Sequence, residues 1–199
     1  LYFAHNAQDV QPDRHWYYNV EYPLEQQRGL DYLEDLFCPL MMRFDIAHRS
    51  AIVMASTKIH AVEELPGLKS AERSRRSGLV AGLSSPDPFV ASLASAADQF
   101  IVDREEGKTV IAGYHWFGDW GRDTMISLSG LTLVTGRFAV ARQILLEFAQ
   151  YISQGMVTNR FPDLGDSPEY NTVDATLWYL EAIRRYVDYT GDFELVRTQ

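Results

Sequence analysis

After Pro86 the apolar positions fall at helical spacing through to the end of the chain. Asp87 to Val102 sets Phe89, Val90, Leu93, Ala97, Phe100 and Ile101 three and four apart behind a proline, which predicts a first helix. Met125 to Val134 predicts a second helix. Phe138 to Ile152 predicts a third, with Val140, Ile144, Leu145, Phe148 and Ile152 as its stripe. Thr172 to Tyr189 predicts a fourth on Val173, Leu177, Leu180, Ile183 and Val187, and a fifth begins at Asp192.

Residues 1–62 read differently. Trp16 to Tyr22 is rich in strand formers and partly alternating; Leu40 to Ile46 and Ala51 to Ser56 predict two more strands, joined by a polar turn at Ala47 to Ser50. Arg28 to Asp35 is charged and turn-like, either a surface loop or a contact with a neighbouring domain. So few strands cannot enclose a core, so the segment is expected to be the tail of a larger sandwich or sheet. Residues 63–85 turn polar and basic around Glu72 to Arg76 and are broken by Pro66, Gly67, Gly78 and Gly82; a linker, partly helical, is expected there. The predicted organisation is therefore mainly α with a β-rich start: β segment 1–62, linker 63–85, helical domain 86–199.

The connections between the helices alternate in length. Long ones at roughly 103–121 and 153–171 alternate with the tight turns Thr135-Gly136-Arg137 and Thr190-Gly191-Asp192. In an up-and-down helical array every second connection emerges at the same end, so both long loops are expected at one end and both Thr-Gly turns at the other. Loops displayed on a rigid scaffold are where function concentrates.

Composition narrows the chemistry. In 199 residues, 46% are hydrophobic and 23% charged, ordinary for a soluble globular protein. A net charge of −9 leaves no basic footprint for nucleic acid or an anionic membrane. A single cysteine, Cys38, excludes an internal disulfide framework and fits a reducing compartment. No signal peptide or membrane-length apolar run is present, so a cytoplasmic location is expected. The histidines at 5, 15, 48, 60 and 115 lack ligand spacing, so neither a metal site nor a cofactor is expected.

The first long loop holds Gly113-Tyr-His-Trp-Phe-Gly-Asp-Trp-Gly-Arg-Asp-Thr124, where Trp116, Phe117, Asp119, Trp120, Arg122 and Asp123 surround a helix start. Aromatic rings beside a guanidinium and carboxylates suit a polyhydroxylated ligand: apolar sugar faces stack on rings and hydroxyls bridge charged groups. The plainer reading is an aromatic core loop whose Arg122 and Asp123 pair internally, with Asp123 serving the helix dipole. The second long loop carries Asn159, Arg160, Phe161, Asp163, Asp166, Glu169, Tyr170, Asn171 and Asp174. Asn171 or Thr172 is expected to cap the fourth helix, leaving Asp174 facing the shared end with Trp178 one turn further on. No nucleophile triad, phosphate loop or dinucleotide fingerprint is found, and acid–base chemistry on a neutral, hydroxyl-rich substrate remains.

Taken together, GYHWFGDWGRDTMISLSGL, TGR, NRFPD and PEYNTVDATLW resemble the amylo-α-1,6-glucosidase part of bacterial and archaeal glycogen debranching enzymes, and YNVEYPLEQQRGLDYLEDLFCP resembles the segment before that catalytic domain. The resemblance implies an (α/α)6 toroid, incomplete in this chain, and hydrolysis of α-1,6-linked glucose at a glycogen branch point with inversion. It implies that Trp120, Arg122 and Asp123 line the subsite of the non-reducing glucose. Trp116, Phe117, Asp119, Asn159, Arg160, Glu169, Tyr170, Asn171 and Asp174 complete the candidate substrate-binding set. His115 and Ser129 stand where the family usually has proline. The family's general acid lies in a Thr-Trp-Met-Asp motif, absent here, and its base nearer the C-terminus. Acid and base are thus expected beyond Gln199, the piece alone is expected to be inactive, and Asp174 is the one catalytic candidate within it. The implied partners are an α-glucan and the rest of a parent polypeptide, or another chain, to complete the toroid. Two alternatives carry different functions: a non-catalytic α-glucan-binding protein, and a toroidal hydrolase or phosphorylase for another oligosaccharide.

Overall fold

In the computed structural model, residues 1–83, 85, 87–104, 107–114, 117–161 and 167–197 are described. His115, Trp116, Asp163 and Asp166, named above, lie outside them. The chain divides into two units, residues 1–72 and 73–199.

The first unit is built on strands β1 (Tyr2–His5), β2 (Asp9–Glu21), β3 (Leu33–Arg43) and β4 (Val53–Ser56), with a short helix α1 (Pro23–Gln27) between β2 and β3. The expected hairpin between the second and third predicted strands does not form. Instead β2 pairs with β3 and β1 with β4, both antiparallel. The charged stretch Arg28 to Asp35 is only partly a turn: Gly29 takes φ 73° behind α1, and β3 already starts at Leu33. Two register shifts in β2, between Pro12 and His15 and between Tyr17 and Val20, coincide with positive φ at Arg14 and Asn19. Each is a bulge that adds twist to the ribbon. Asn19 is held there by its N–H donating to Asp35 Oδ1 at 3.0 Å, and Trp16 meets Phe37 across the strands with ring centroids 5.1 Å apart. Cys38 is half-buried, and hydrogen bonding with Asp13 pushes its thiol up from the ordinary range.

The interval read as a linker holds a 3-10 turn at Val62–Glu64 and then helix α2 (Leu65–Ala81), seventeen residues long. Gly67 and Gly78 inside it lower helix propensity by about 1 kcal/mol each relative to alanine, which is why the sequence reads as broken there.

In the second unit α3 (Pro88–Asp98) is capped by Asp87, whose carboxylate accepts the Phe89 N–H at 2.8 Å. It ends earlier than its periodicity suggests, because Ile101 enters a strand. What reads as a long loop at 103–121 is largely a three-stranded antiparallel sheet: β5 (Ile101–Arg104), β6 (Gly107–Gly113) and β7 (Phe117–Asp119). Helix α4 (Gly121–Leu128) follows directly and runs into a π-helical turn, Ser129–Leu133. Then come α5 (Phe138–Gln150), α6 (Asp174–Thr190) and α7 (Glu194–Arg197).

Both Thr-Gly turns work alike. Gly136 and Gly191 adopt φ 74° and 68°, a region glycine enters without a Cβ penalty. The threonine before each donates its hydroxyl to a carbonyl four residues back, Thr135 to Leu131 at 2.8 Å and Thr190 to Tyr186 at 2.7 Å. The core gathers Val110 of β6, Met125 and Leu128 of α4, Leu133, Ile144, Leu145 and Phe148 of α5, and Tyr179, Ala182 and Tyr186 of α6. Tyr179 donates its hydroxyl to Leu145 O at 2.9 Å, and burial pushes its pKa to about 12. The N-terminal end of α4 and the N-terminal end of α6 meet in this packing, which brings the segments preceding them together.

Candidate functional site

Three short chain segments lie side by side in front of α4. Trp120 bridges Arg160 in antiparallel fashion, and Arg160 bridges Glu169. Gly121 N–H donates to Asn159 O at 2.8 Å, and Asn159 N–H donates to Glu169 O at 2.8 Å. A Cβ on residue 121 would sit 2.2 Å from the backbone oxygen of Thr158, so no side chain fits between the two loops there.

On this frame stand two guanidinium–carboxylate pairs. Arg122 Nε lies 2.8 Å from Asp174 Oδ2, and its Nη2 donates to Oδ1 at 3.1 Å, a two-pronged contact from α4 to α6. Arg160 Nη1 donates to Glu169 Oε1 at 2.9 Å, and its guanidinium lies 5.7 Å from the centre of the Trp120 ring. The four side chains are 40–46% exposed. Pairs this open are worth about 0–1 kcal/mol each to the fold. They hold charged groups in set positions while leaving oxygens and N–H groups open to a ligand.

The remaining candidate residues sort by direction. Asn159 is 4% exposed and turned inward; its Oδ1 accepts the Arg122 N–H at 3.2 Å and its Nδ2 donates to Asn171 Oδ1 at 2.8 Å. Asn171 also donates to Glu169 Oε2 at 3.4 Å, so it belongs to the pair network and does not cap α6. That helix starts behind Val173 with no side-chain cap, and the buried hydroxyl of Thr172 has no partner among the described residues. Tyr170 donates its hydroxyl to Tyr151 O at 2.8 Å, which ties the second loop to the end of α5.

Asp119 is not on the open face. It is 3% exposed, takes Arg104 Nη1 at 2.8 Å and accepts the Thr109 hydroxyl at 3.2 Å. Arg104 in turn lies over the Phe161 ring at 5.0 Å, and Phe161 meets Phe148 and Tyr151 edge-on. This arrangement fastens the sheet to the helices. Arg104 and Thr109 carry no signal in the sequence, because spacing runs the first helix to Val102 and gives a loop from 103, and neither sets them opposite Asp119.

Asp123 is exposed and is not part of the Arg122–Asp174 pair. It lines a groove of about 330 Å³ with Phe100, Val110, Ile111, Ile126 and Leu131. Among the described residues its carboxylate forms no hydrogen bond or ion pair with another side chain. Phe117 is 55% exposed, and Trp178, one turn beyond Asp174, is 40% exposed. Among the described residues no cluster of three or more potential metal ligands occurs, and no helix is long and apolar enough to cross a membrane.

The mixed sheet-and-helix scaffold thus carries a partly open polar ledge, with the Arg122–Asp174 and Arg160–Glu169 pairs and the Trp120 ring beside Arg160. Its relatives give the family. The profile described as Amylo-alpha-1,6-glucosidase matches residues 95–199, just over half of the chain, and that described as Glycogen debranching enzyme N terminal matches residues 1–53. A glycogen debranching enzyme of Saccharomyces cerevisiae (strain ATCC 204508 / S288c) is 42% identical over 77 residues, a match covering 39% of this chain and 5% of that protein. The chain belongs to the amylo-alpha-1,6-glucosidase family of glycogen debranching enzymes. It spans a small fraction of the length of this curated relative.

Proposed function

We infer that the protein carrying this chain hydrolyses α-1,6-glucosidic branch points of glycogen or a related α-glucan, and that this chain supplies part of the subsite for the branch glucose. The observation that carries the reading is the ledge itself: the partly open Arg122–Asp174 and Arg160–Glu169 pairs, on chain segments bonded side by side, with the Trp120 ring beside Arg160. Glucose offers apolar C–H faces and a ring of hydroxyls, and such a ledge answers both. The ring stacks, the carboxylates accept from hydroxyls, and the guanidinium groups donate to hydroxyl and ring oxygens.

Asp174 is held by Arg122 in this reading and orients the sugar. The bond is broken by a separate acid and base, as the inverting mechanism requires: one carboxylic acid protonates the leaving oxygen while a carboxylate activates water from the opposite face, roughly 6.5–9.5 Å away. Family resemblance assigns those two groups to an (α/α)6 toroid of which residues 86–199 form the first helices, following a β-sandwich-like segment at 1–62.

Incubating the full-length protein with a branched limit dextrin tests this. Free glucose, appearing first as the β-anomer by proton NMR, is the expected product. Binding of the dextrin without any glucose release would favour a glucan-binding protein. Release from trehalose or another oligosaccharide alone would favour a different toroidal hydrolase.

A further inference from the structure

Helix α4 carries Arg122 at its second position, yet the residue at its N-cap, Trp120, offers no capping side chain. A helix start leaves several backbone N–H groups without partners inside the helix. Here two of them are satisfied by one residue of the second loop: the Gly121 N–H by Asn159 O, and the Arg122 N–H by Asn159 Oδ1. Asn159 thus caps a helix it does not belong to. Its other two polar groups are also occupied, N–H on Glu169 O and Nδ2 on Asn171 Oδ1.

All four contacts tie together parts of the ledge. One reaches the helix start, one the backbone of Arg122, one the backbone of Glu169, and one Asn171, three residues before Asp174. With 4% exposure, Asn159 has no open face for a ligand. The clamp closes only because residue 121 is glycine, since a Cβ there would lie 2.2 Å from Thr158 O and 3.2 Å from Asn159 Cα. Both atoms are backbone and have no side-chain freedom with which to yield.

We propose that Asn159 and Gly121 are positioning residues of the site: they do not touch the sugar, but lock the second loop onto the start of α4 and so hold Arg122 in register with Asp174. This rests on the reading of Arg122 as part of the glucose subsite, and it removes Asn159 from the residues that contact the ligand. An asparagine is needed for the full clamp, because it both accepts from a backbone N–H and donates to Asn171. Aspartate retains the first function, aided by the helix dipole, and loses the second.

The test uses full-length protein and the variants N159A, N159D, G121A and R122A, with two readouts. The first is amide hydrogen exchange at Arg122, with amides in the middle of α5 as the reference for global opening. N159A is expected to speed exchange at Arg122 about tenfold, the factor that loss of a helix cap corresponds to, with α5 unchanged. N159D is expected to retain most of the protection. The second readout is hydrolysis of a branched maltooligosaccharide. N159A and G121A are expected to raise KM at least several-fold in the direction of R122A, and N159D less.

Unchanged exchange at Arg122 in N159A overturns the clamp. Faster exchange with unaltered KM, while R122A raises KM, overturns the positioning role and leaves the glucose subsite standing. An R122A variant with unaltered KM removes the subsite reading instead, and the exchange data still decide whether Asn159 caps α4. Should G121A fail to fold, N159A and N159D carry the decision alone.

Discussion

At the scale of single residues, two arginines that each pair with an aspartate do different work. Arg122 and Asp174 are about half exposed, so their pair contributes little to stability. Arg122→Ala is expected to change unfolding free energy by no more than about 1 kcal/mol in denaturant melts. Arg104 faces Asp119, which is 2% exposed at its side chain. Removing one partner of a buried pair leaves the other charge uncompensated, so Arg104→Ala is expected to cost about 3 kcal/mol in the same experiment. The sequence showed Asp119 and Arg122 as neighbours in one charged motif. It contained no sign that the Asp119 carboxylate is buried against Arg104 and Thr109 while Arg122 stands in the open. Asp123 shows the same limit: helical rotation turns it from Arg122 into a different groove, although the two are adjacent in the chain.

Glu181 gives a residue-scale test against pH. Hydrogen bonds from Arg184 and Arg185 bring its carboxyl down from 4.5 to about 2. A folded-state pKa below the unfolded value means that the stabilisation is complete above about 4.5 and is lost as pH falls toward about 2. Carbon-detected NMR titration is expected to find Glu181 still ionised at pH 3. A midpoint near 4.5 would show that the two arginines do not hold it in solution.

At the scale of elements, periodicity placed helices well and faces less well. Most of the stripe expected on α5 faces the core: Ile144, Leu145 and Phe148 are buried and Val140 packs against them, but Ile152 lies beyond the helix end and is exposed. Of the stripe expected on α6, Ile183 and Val187 pack against the core while Val173, just before the helix, Leu177 and Leu180 are exposed; the fully buried face is Ala175, Tyr179, Ala182 and Tyr186. This helix is apolar on more than one side, so spacing alone does not choose which face packs against α4 and α5. Small residues let α6 approach closely, and the two tyrosines fill the space beyond. The sheet β5–β6–β7 is not legible in the sequence for another reason: its strands have four, seven and three residues and lie between a helix and an aromatic loop. Phe148 sits where α5, Phe161 and the core meet. Phe148→Ala is expected to cost about 3–5 kcal/mol, read as a lower denaturation midpoint with an unchanged slope.

At the scale of the whole molecule, loop lengths said more than the helices did. Alternation of long and short connections placed the segments before α4 and α6 at one end, and there Trp120 pairs with Arg160 and Arg122 with Asp174. Two stretches 37 residues apart are bonded through backbone groups and need a glycine at their crossing. That crossing is invisible to composition or spacing, because it depends on how two loops lie in space. In the proposed account the ledge is a recognition surface whose acid and base come from elsewhere in the protein.

The central claim, that Arg122 helps hold the glucose at an α-1,6 branch point, is tested most directly by kcat/KM for glucose release from branched limit dextrin. Full-length wild type is compared with a folded Arg122→Ala variant. A loss of at least about a hundredfold is expected, equal to about 2.7 kcal/mol of transition-state binding from one charge-assisted contact. An unchanged kcat/KM in the variant would contradict the account.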